Sequence, residues 1–445
     1  MVSAMTITRR ALLGSGLAAG ALVAARRSAA QPAPAATTVT APPVASKPVV
    51  ERPRPPAGEQ YNPVIVPNGH TLPFTRRDGV KVFHLIAGAV KHELAPGLEI
   101  EAWGYNGTTP GPVIEGVVGD RIRVYVTNTL PEATTVHWHG MFLPNGMDGV
   151  AGLTQKSIPP GKTFKYEFPL LKPGTFMYHP HFDEMTQIAL GMTGMIVVHP
   201  RQPPAADRRV RDFSLMLHEW HVPIGHKRPH PLTMNEFNVL TFNSKSFPGT
   251  APLAVETGDL VRLRLGNLGP MDHHPIHLHG YAFRVVETDG GTVPATARHL
   301  DTTVLVPVGS VRVVEFVADK PGDWALHCHM THHAMNQMGH GSANLVGVDP
   351  KGLDARLTRV VPGYMTMGET GMGDMMMMKQ PRNSISMHGG EGPFGTIEMG
   401  GMFTVLKVRD KLTAETAAGW YSHPEGTVAS LASEADLARD GISRP

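Results

Sequence analysis

Between Gly119 and Asn128 apolar and polar positions alternate, placing Ile122, Val124 and Val126 on one face, and this period of two predicts a half-buried β-strand. The pattern returns from Gly258 to Asn267 through Val261, Leu263 and Leu265. In both copies the asparagine lies nine residues after the glycine, and an H-x-H-G sequence follows: His137-Trp138-His139-Gly140 and His277-Leu278-His279-Gly280. The second half of the unit repeats without a gap. Gly161, Glu167-Phe168, Lys172-Pro173-Gly174 and His179-Pro180-His181 match Gly309, Glu315-Phe316, Lys320-Pro321-Gly322 and His327-Cys328-His329 at identical offsets. Short alternating runs between Pro/Gly turns predict an all-β fold of two β-sandwich domains, residues 59–200 and 207–349.

The ends of the chain follow other rules. Residues 1–30 carry Arg9-Arg10, an apolar run to about Ala25 and then Ser28-Ala29-Ala30, a pattern similar to a twin-arginine export signal. The apolar run falls short of the roughly 20 residues that span a bilayer, so cleavage and a periplasmic or extracellular protein without a stable membrane anchor are expected. Residues 31–58, rich in Pro and Ala, read as an extended linker. Residues 350–445 read as a Met-rich C-terminal extension, with ten methionines from Met365 to Met402. Within it 403–408 is compatible with one strand, and 412–438 is weakly helical.

Composition narrows the chemistry. The single cysteine, Cys328, excludes internal disulfides, Cys-rich zinc modules and four-cysteine iron–sulfur clusters. Histidine and methionine number 24 each, and both bind metals. The formal charge of +2 includes Arg9, Arg10, Arg26 and Arg27 of the expected signal, so the remainder carries no polyanion-binding excess and nucleic acid is not an expected partner.

In a strand, residues i and i+2 share a face, so each H-x-H presents two imidazoles side by side. The pairs are His137/His139, His179/His181, His277/His279 and His327/His329. Eight such rings exceed what packing needs, and burying them without metal or hydrogen-bond partners is costly. By the same parity Cys328 faces the other way, as does His274 relative to His277. His333 and Met338 follow Cys328 at five and ten residues, which completes the two histidines, thiolate and weak thioether of a blue-copper site. The backbone of Cys328 would join that site to the eight-histidine set.

These motifs resemble those of the multicopper oxidases over roughly residues 100–345: His137-Trp138-His139-Gly140, His179-Pro180-His181, His274-Pro275-Ile276-His277-Leu278-His279, and His327-Cys328-His329 followed by His333 and Met338. The resemblance implies cupredoxin-like Greek-key sandwiches and four coppers per chain. His137 and His277 would hold the type 2 copper. His139, His179, His181, His279, His327 and His329 would hold the type 3 pair, and His274, Cys328, His333 and Met338 the type 1 copper. Electrons would enter singly through Cys328, and four of them would reduce O2 to water. Only 92 residues lie between His181 and His274, too few for an intervening domain, so the chain looks like a two-domain laccase. Relatives of that kind are homotrimers with the trinuclear cluster between subunits, and a homotrimer is expected. Pro180 stands where Cys328 stands in the other copy, which separates the chain from copper nitrite reductases, whose blue copper lies in the first domain.

Several assignments carry an alternative. Family spacing favours His333 over His332 and Met338 over Met335 as ligands, and His273 reads as a bystander. Asp148 matches the acid that relatives use to deliver protons, or is a turn residue before Gly149. Asp183 and Glu184 read either as imidazole-orienting carboxylates or as solvated loop acids. The Met-rich stretch, with His340 and His388, reads as a Cu(I)-handling segment, a lid or disordered chain. The expected function is a laccase-type oxidase taking electrons from phenolic or similar small reductants. The alternatives are an oxidase of Cu(I) or another metal ion in copper tolerance, and a non-catalytic copper-binding resistance protein.

Overall fold

The computed structural model describes residues 47–202, 210–223, 226–234, 237–334, 351–362 and 389–443. The expected signal, the linker as far as residue 46, Met335, Met338, His340, His388 and Met365 to Met387 lie outside the described residues. No helix among the described residues is long and apolar enough to cross a membrane.

The principal strands are numbered in chain order. In the first sandwich β1 (Val80–Ala95), β2 (Leu98–Tyr105), β4 (Arg121–Asn128) and β6 (Thr163–Pro169) form one sheet. Facing it lie β3 (Ile114–Val117), β5 (His137–His139), β7 (Gly174–His179) and β8 (Gly194–His199), in the order β3-β8-β7-β5. The second sandwich pairs two sheets. One contains β9 (Arg211–Trp220), β10 (Val239–Phe242), β12 (Leu260–Asn267), β14 (Phe283–Thr288) and β16 (Ser310–Val317). The other runs β11-β18-β17-β13-β15, from β11 (Leu253–Glu256), β13 (His274–Leu278), β15 (Thr303–Val306), β17 (Gly322–Cys328) and β18 (Phe403–Arg409).

The alternation does what it predicts. Ile122, Val124 and Val126 point into the first core, and Val261, Leu263 and Leu265 into the second. Each strand ends in its asparagine for a reason visible in both copies. Asn128 Nδ2 donates to the carbonyls of Glu132 and Ile158, both at 2.8 Å, and Asn267 Nδ2 to those of Asp272 (2.8 Å) and Val306 (3.0 Å). The asparagine thus clamps the loop that turns into each H-x-H.

Two expectations about the ends require correction. Strand β18 sits between β11 and β17, the place that β8 holds between β3 and β7. It is therefore the closing strand of the second sandwich, and the boundary at 349 falls too early. Six residue pairs join β18 to β17 and four join it to β11, and Leu406 and Val408 lie in the core, so the sheet is incomplete without it. The Met-rich stretch is an insertion between β17 and β18, not a C-terminal extension. Its base is pinned: the N–H groups of Gly400 and Gly401 donate to Ala334 O (3.1 and 2.9 Å), and Met402 N–H donates to His333 O (3.0 Å). Residues 412–438 hold the short helix Ala414–Ala418 and the start of Glu434–Arg439. The last residues of the linker are docked, since Arg211 donates to Val49 O and Val50 O and Arg52 pairs with Asp259 at 2.6 Å.

The sandwiches share a buried seam floored by β9, every residue of which is buried. Its odd positions Phe213, Leu215 and Leu217 enter the second core, while Met216 packs with Met177, Met195 and Val197 of the first sandwich. Arg264 crosses the seam, paired with both oxygens of Asp212 at 2.8 Å and donating to Thr175 Oγ1 at 2.6 Å.

Candidate metal centres

Antiparallel pairing of β5 with β7 sets His137 opposite His179. Pairing of β13 with β17 likewise sets His277 opposite His327. Only His137/His139 lies wholly within a strand; His181, His279 and His329 fall just past strand ends, yet the rings still cluster. In the first tetrad His137 lies 5.3–5.7 Å, centroid to centroid, from His139, His179 and His181. In the second, His277 lies 4.8–5.6 Å from His279, His327 and His329.

Backbone carbonyls decide which ring nitrogen is free. His179 Nδ1 donates to Pro180 O (2.9 Å) and His327 Nδ1 to Cys328 O (2.8 Å), a role that proline and cysteine fill equally. The outer rings repeat the device: His137 Nδ1 donates to Asp148 O (2.8 Å) and His277 Nδ1 to Thr302 O (2.6 Å). All four Nε2 atoms are thereby left with a lone pair for a metal. His179 Nε2 approaches His139 Nδ1 at 3.2 Å, and His327 Nε2 approaches His279 Nε2 at 3.1 Å. Burial drives the His179 imidazole down to about 3 and lowers those of His139 and His327, so all three are neutral near pH 7.

The third group lies on the other face of β13 and β17. Cys328 Sγ is 3.8 Å from His274 Nδ1 and 3.5 Å from His333 Nδ1, and the two nitrogens are 3.2 Å apart. All three residues are buried, Cys328 and His274 completely. Burial pushes the Cys328 thiol up to about 12, so a thiolate forms here only against a cation. A soft sulfur and two imidazole nitrogens in one dry pocket fit copper. His333 is the buried member of its pair and His332 is exposed. His273 points away, accepting from Val308 N–H.

The acids separate similarly. Asp148 places Oδ1 3.5 Å from His137 Nδ1. Gly149 is what lets this segment pass so close, since at φ +88° an added Cβ would fall 1.8 Å from Val136 O. Glu184 lies 3.4 Å from His179 Nδ1 and 3.7 Å from His181 Nε2, whereas Asp183 caps the following helix in a left-handed conformation. Two further carboxylates escaped the sequence reading. Glu219 Oε2 is 3.3 Å from His274 Nε2, and Asp272 Oδ2 is 3.4 Å from His333 Nε2. β9 also carries Arg211, Asp212, Ser214 and His218, so no contrast along the sequence marks Glu219.

Two family models, both described as multicopper oxidase, match residues 88–203 and 223–345. The iron transport multicopper oxidase fetC of Epichloe festucae is 31% identical over 198 residues, 42% of this chain and 31% of that protein. Laccase-1 of Cryptococcus neoformans is 32% identical over 233 residues, 46% of this chain and 37% of that protein. The chain thus spans about a third of the length of these two relatives. The blue copper oxidase of Nitrosomonas europaea superposes with a TM-score of 0.55 at 27% identity, covering 74% of this chain and 85% of the other. With one model on each sandwich and more than half of its residues matched, the chain belongs to the multicopper oxidase family.

Proposed function

We propose that the chain is an exported laccase-like oxidase that couples one-electron oxidation of phenolic or similar small reductants to reduction of O2 to water. One observation carries this reading: the buried His274–Cys328–His333 group is joined, through the peptide bonds on either side of Cys328, to His327 and His329 of the second tetrad. A sequestering protein needs no such link. His274, Cys328 and His333, with Met338, would hold one copper; His137 and His277 would hold a second and the remaining six histidines a pair. Copper at these positions supplies single-electron transfer and O2 reduction. The protein's part is to keep the imidazoles neutral and oriented, to give the thiolate side a covalent route to the tetrad, and to hold an exchangeable proton at Asp148. Reduction of one O2 consumes four protons, and the half-exposed Asp148 carboxylate beside His137 is placed to pass them from solvent.

Each chain offers two half-sites. Among the described residues no ring contact joins the first tetrad to the second. His279 and His329 are exposed, as are apolar residues near the two tetrads in sequence, Phe142 and Leu153 for the first and Leu305 and Met330 for the second. This supports a ring of chains, expected to be a homotrimer, in which the first tetrad of one copy meets the second of the next. Co-assembly of His139→Ala chains with His329→Ala chains should restore activity that each lacks alone. Mixed trimers without recovery would refute the shared cluster. Copper quantitation with visible and EPR spectra tests the whole reading: a thiolate charge-transfer band and four coppers per chain support it, and a colourless protein refutes it.

A second reading, oxidation of Cu(I) or another reduced metal ion, is favoured by the position of the methionine-rich insertion. Its base hydrogen-bonds to the backbone of His333, and thioethers prefer Cu(I). Deleting residues 365–388 should then lower cuprous oxidation and raise phenol oxidation.

A further inference from the structure

We infer that Glu219 is a positioning residue for the Cys328 centre: its buried carboxylate keeps the His274 proton on Nε2, turns the Nδ1 lone pair toward Cys328, and strengthens that imidazole as a donor to copper. The inference rests on the copper reading of His274, Cys328 and His333.

Glu219 is completely buried and follows Phe213, Leu215 and Leu217 on the core-facing side of β9. A carboxylate in such a row is tolerated only when its oxygens are hydrogen-bonded. Oε1 accepts the N–H groups of Met271 (2.6 Å) and Asp272 (2.8 Å), and Oε2 faces His274 Nε2 at 3.3 Å. Gly269 makes room for it, because an added Cβ there would lie 1.8 Å from Oε2. Two backbone donors on Oε1 and the ring nitrogen facing Oε2 are the partners that a buried carboxylate requires, and they aim it at the far nitrogen of one ligand.

His333 differs. Its Nε2 faces Asp272, which is 28% exposed and so screened by water. A carboxylate accepting the far N–H of a ligating imidazole raises the basicity of the ring, and a buried negative charge favours the more highly charged state of the metal. Glu219 should thus stabilise oxidised copper and lower the reduction potential of the centre, with the larger share acting through His274.

Glu219→Gln keeps the size and an oxygen for the two backbone donors while removing the charge. In the copper-loaded protein it should retain the thiolate band and shift the redox equilibrium with a reference couple at least tenfold toward reduced copper, about 59 mV for one electron. Glu219→Asp should recover part of the shift. A Gln variant that keeps the band and stays within twofold of the parent equilibrium overturns the inference. A second measurement needs no variant: 15N NMR of the copper-free parent should find the His274 proton on Nε2, and a proton on Nδ1 instead overturns the inference even if the Gln variant does not fold. Absence of the band from the parent itself is a different failure, that of the copper reading.

Discussion

Removing everything beyond residue 349 should destroy the second sandwich, whereas removing only residues 365–388 should spare it. Truncation takes away β18, with Met402, Phe403, Leu406 and Val408 at no more than 2% exposed. At about 1.5–3 kcal/mol for each such side chain, the loss is on the order of 6–12 kcal/mol. That equals the roughly 5–15 kcal/mol that stabilises a whole domain. Strands β11 and β17 would also lose the partner that separates them, and Cys328 N–H would lose its acceptor, Met402 O at 3.0 Å. The shorter deletion leaves intact the hydrogen bonds of Gly400, Gly401 and Met402 to Ala334 and His333, which already hold the two ends of the loop together. Thermal unfolding followed by circular dichroism, with the thiolate–copper band as the local readout, distinguishes the two. A chain ending at 349 that melts cooperatively and keeps the band would show that β18 is dispensable and refute the assignment of it as the closing strand.

Further outcomes follow from individual groups. Cys328→Ser should abolish the thiolate band and oxidation of organic substrates while leaving copper at the tetrads, checked by EPR and metal analysis. Asp148→Asn keeps the backbone carbonyl that orients His137 and should slow turnover by roughly 10²-fold at unchanged copper content, as expected for loss of a proton-transfer group. Asp212→Ala leaves the buried Arg264 guanidinium with Glu287, at 3.4 Å, in place of its bidentate partner and should cost about 3–5 kcal/mol in a denaturant titration. Burial pushes His218 down to about 4 from its ordinary 6.5, so its contribution to stability is fully present above pH 6.5 and is lost as the pH falls to about 4. At about 1.4 kcal/mol per unit this is about 3 kcal/mol in the copper-free protein, and His218→Phe should flatten that limb of the pH–stability curve.

The tetrads were legible because their spacing is local: H-x-H on a strand fixes a shared face, and the duplicated asparagine fixes the approach. Cys328, His274 and His333 were equally readable by parity and short offsets. Glu219 was not, because it reaches His274 from a strand 55 positions upstream, and no local period marks which strand will lie beneath it. Strand β18 was missed for a related reason. In the first sandwich 12 residues separate His181 from the closing strand at Gly194, but 73 separate His329 from Phe403, so the repeat loses register before it ends. Met338 lies in that insertion, and its place as a ligand rests on the resemblance alone.

Strand β9 changes what the internal repeat means for dissection of the protein. By order along the chain it opens the second unit, yet Ser214 and Met216 on its outer side are buried against Met195 of the first. A cut near residue 205 would lay bare a two-sided strand whose second residue, Asp212, is paired with the buried Arg264 of β12. The halves are products of one duplication but are no longer interchangeable parts, and exchange of a single sandwich between relatives should succeed only when the facing strands β7, β8 and β9 travel together.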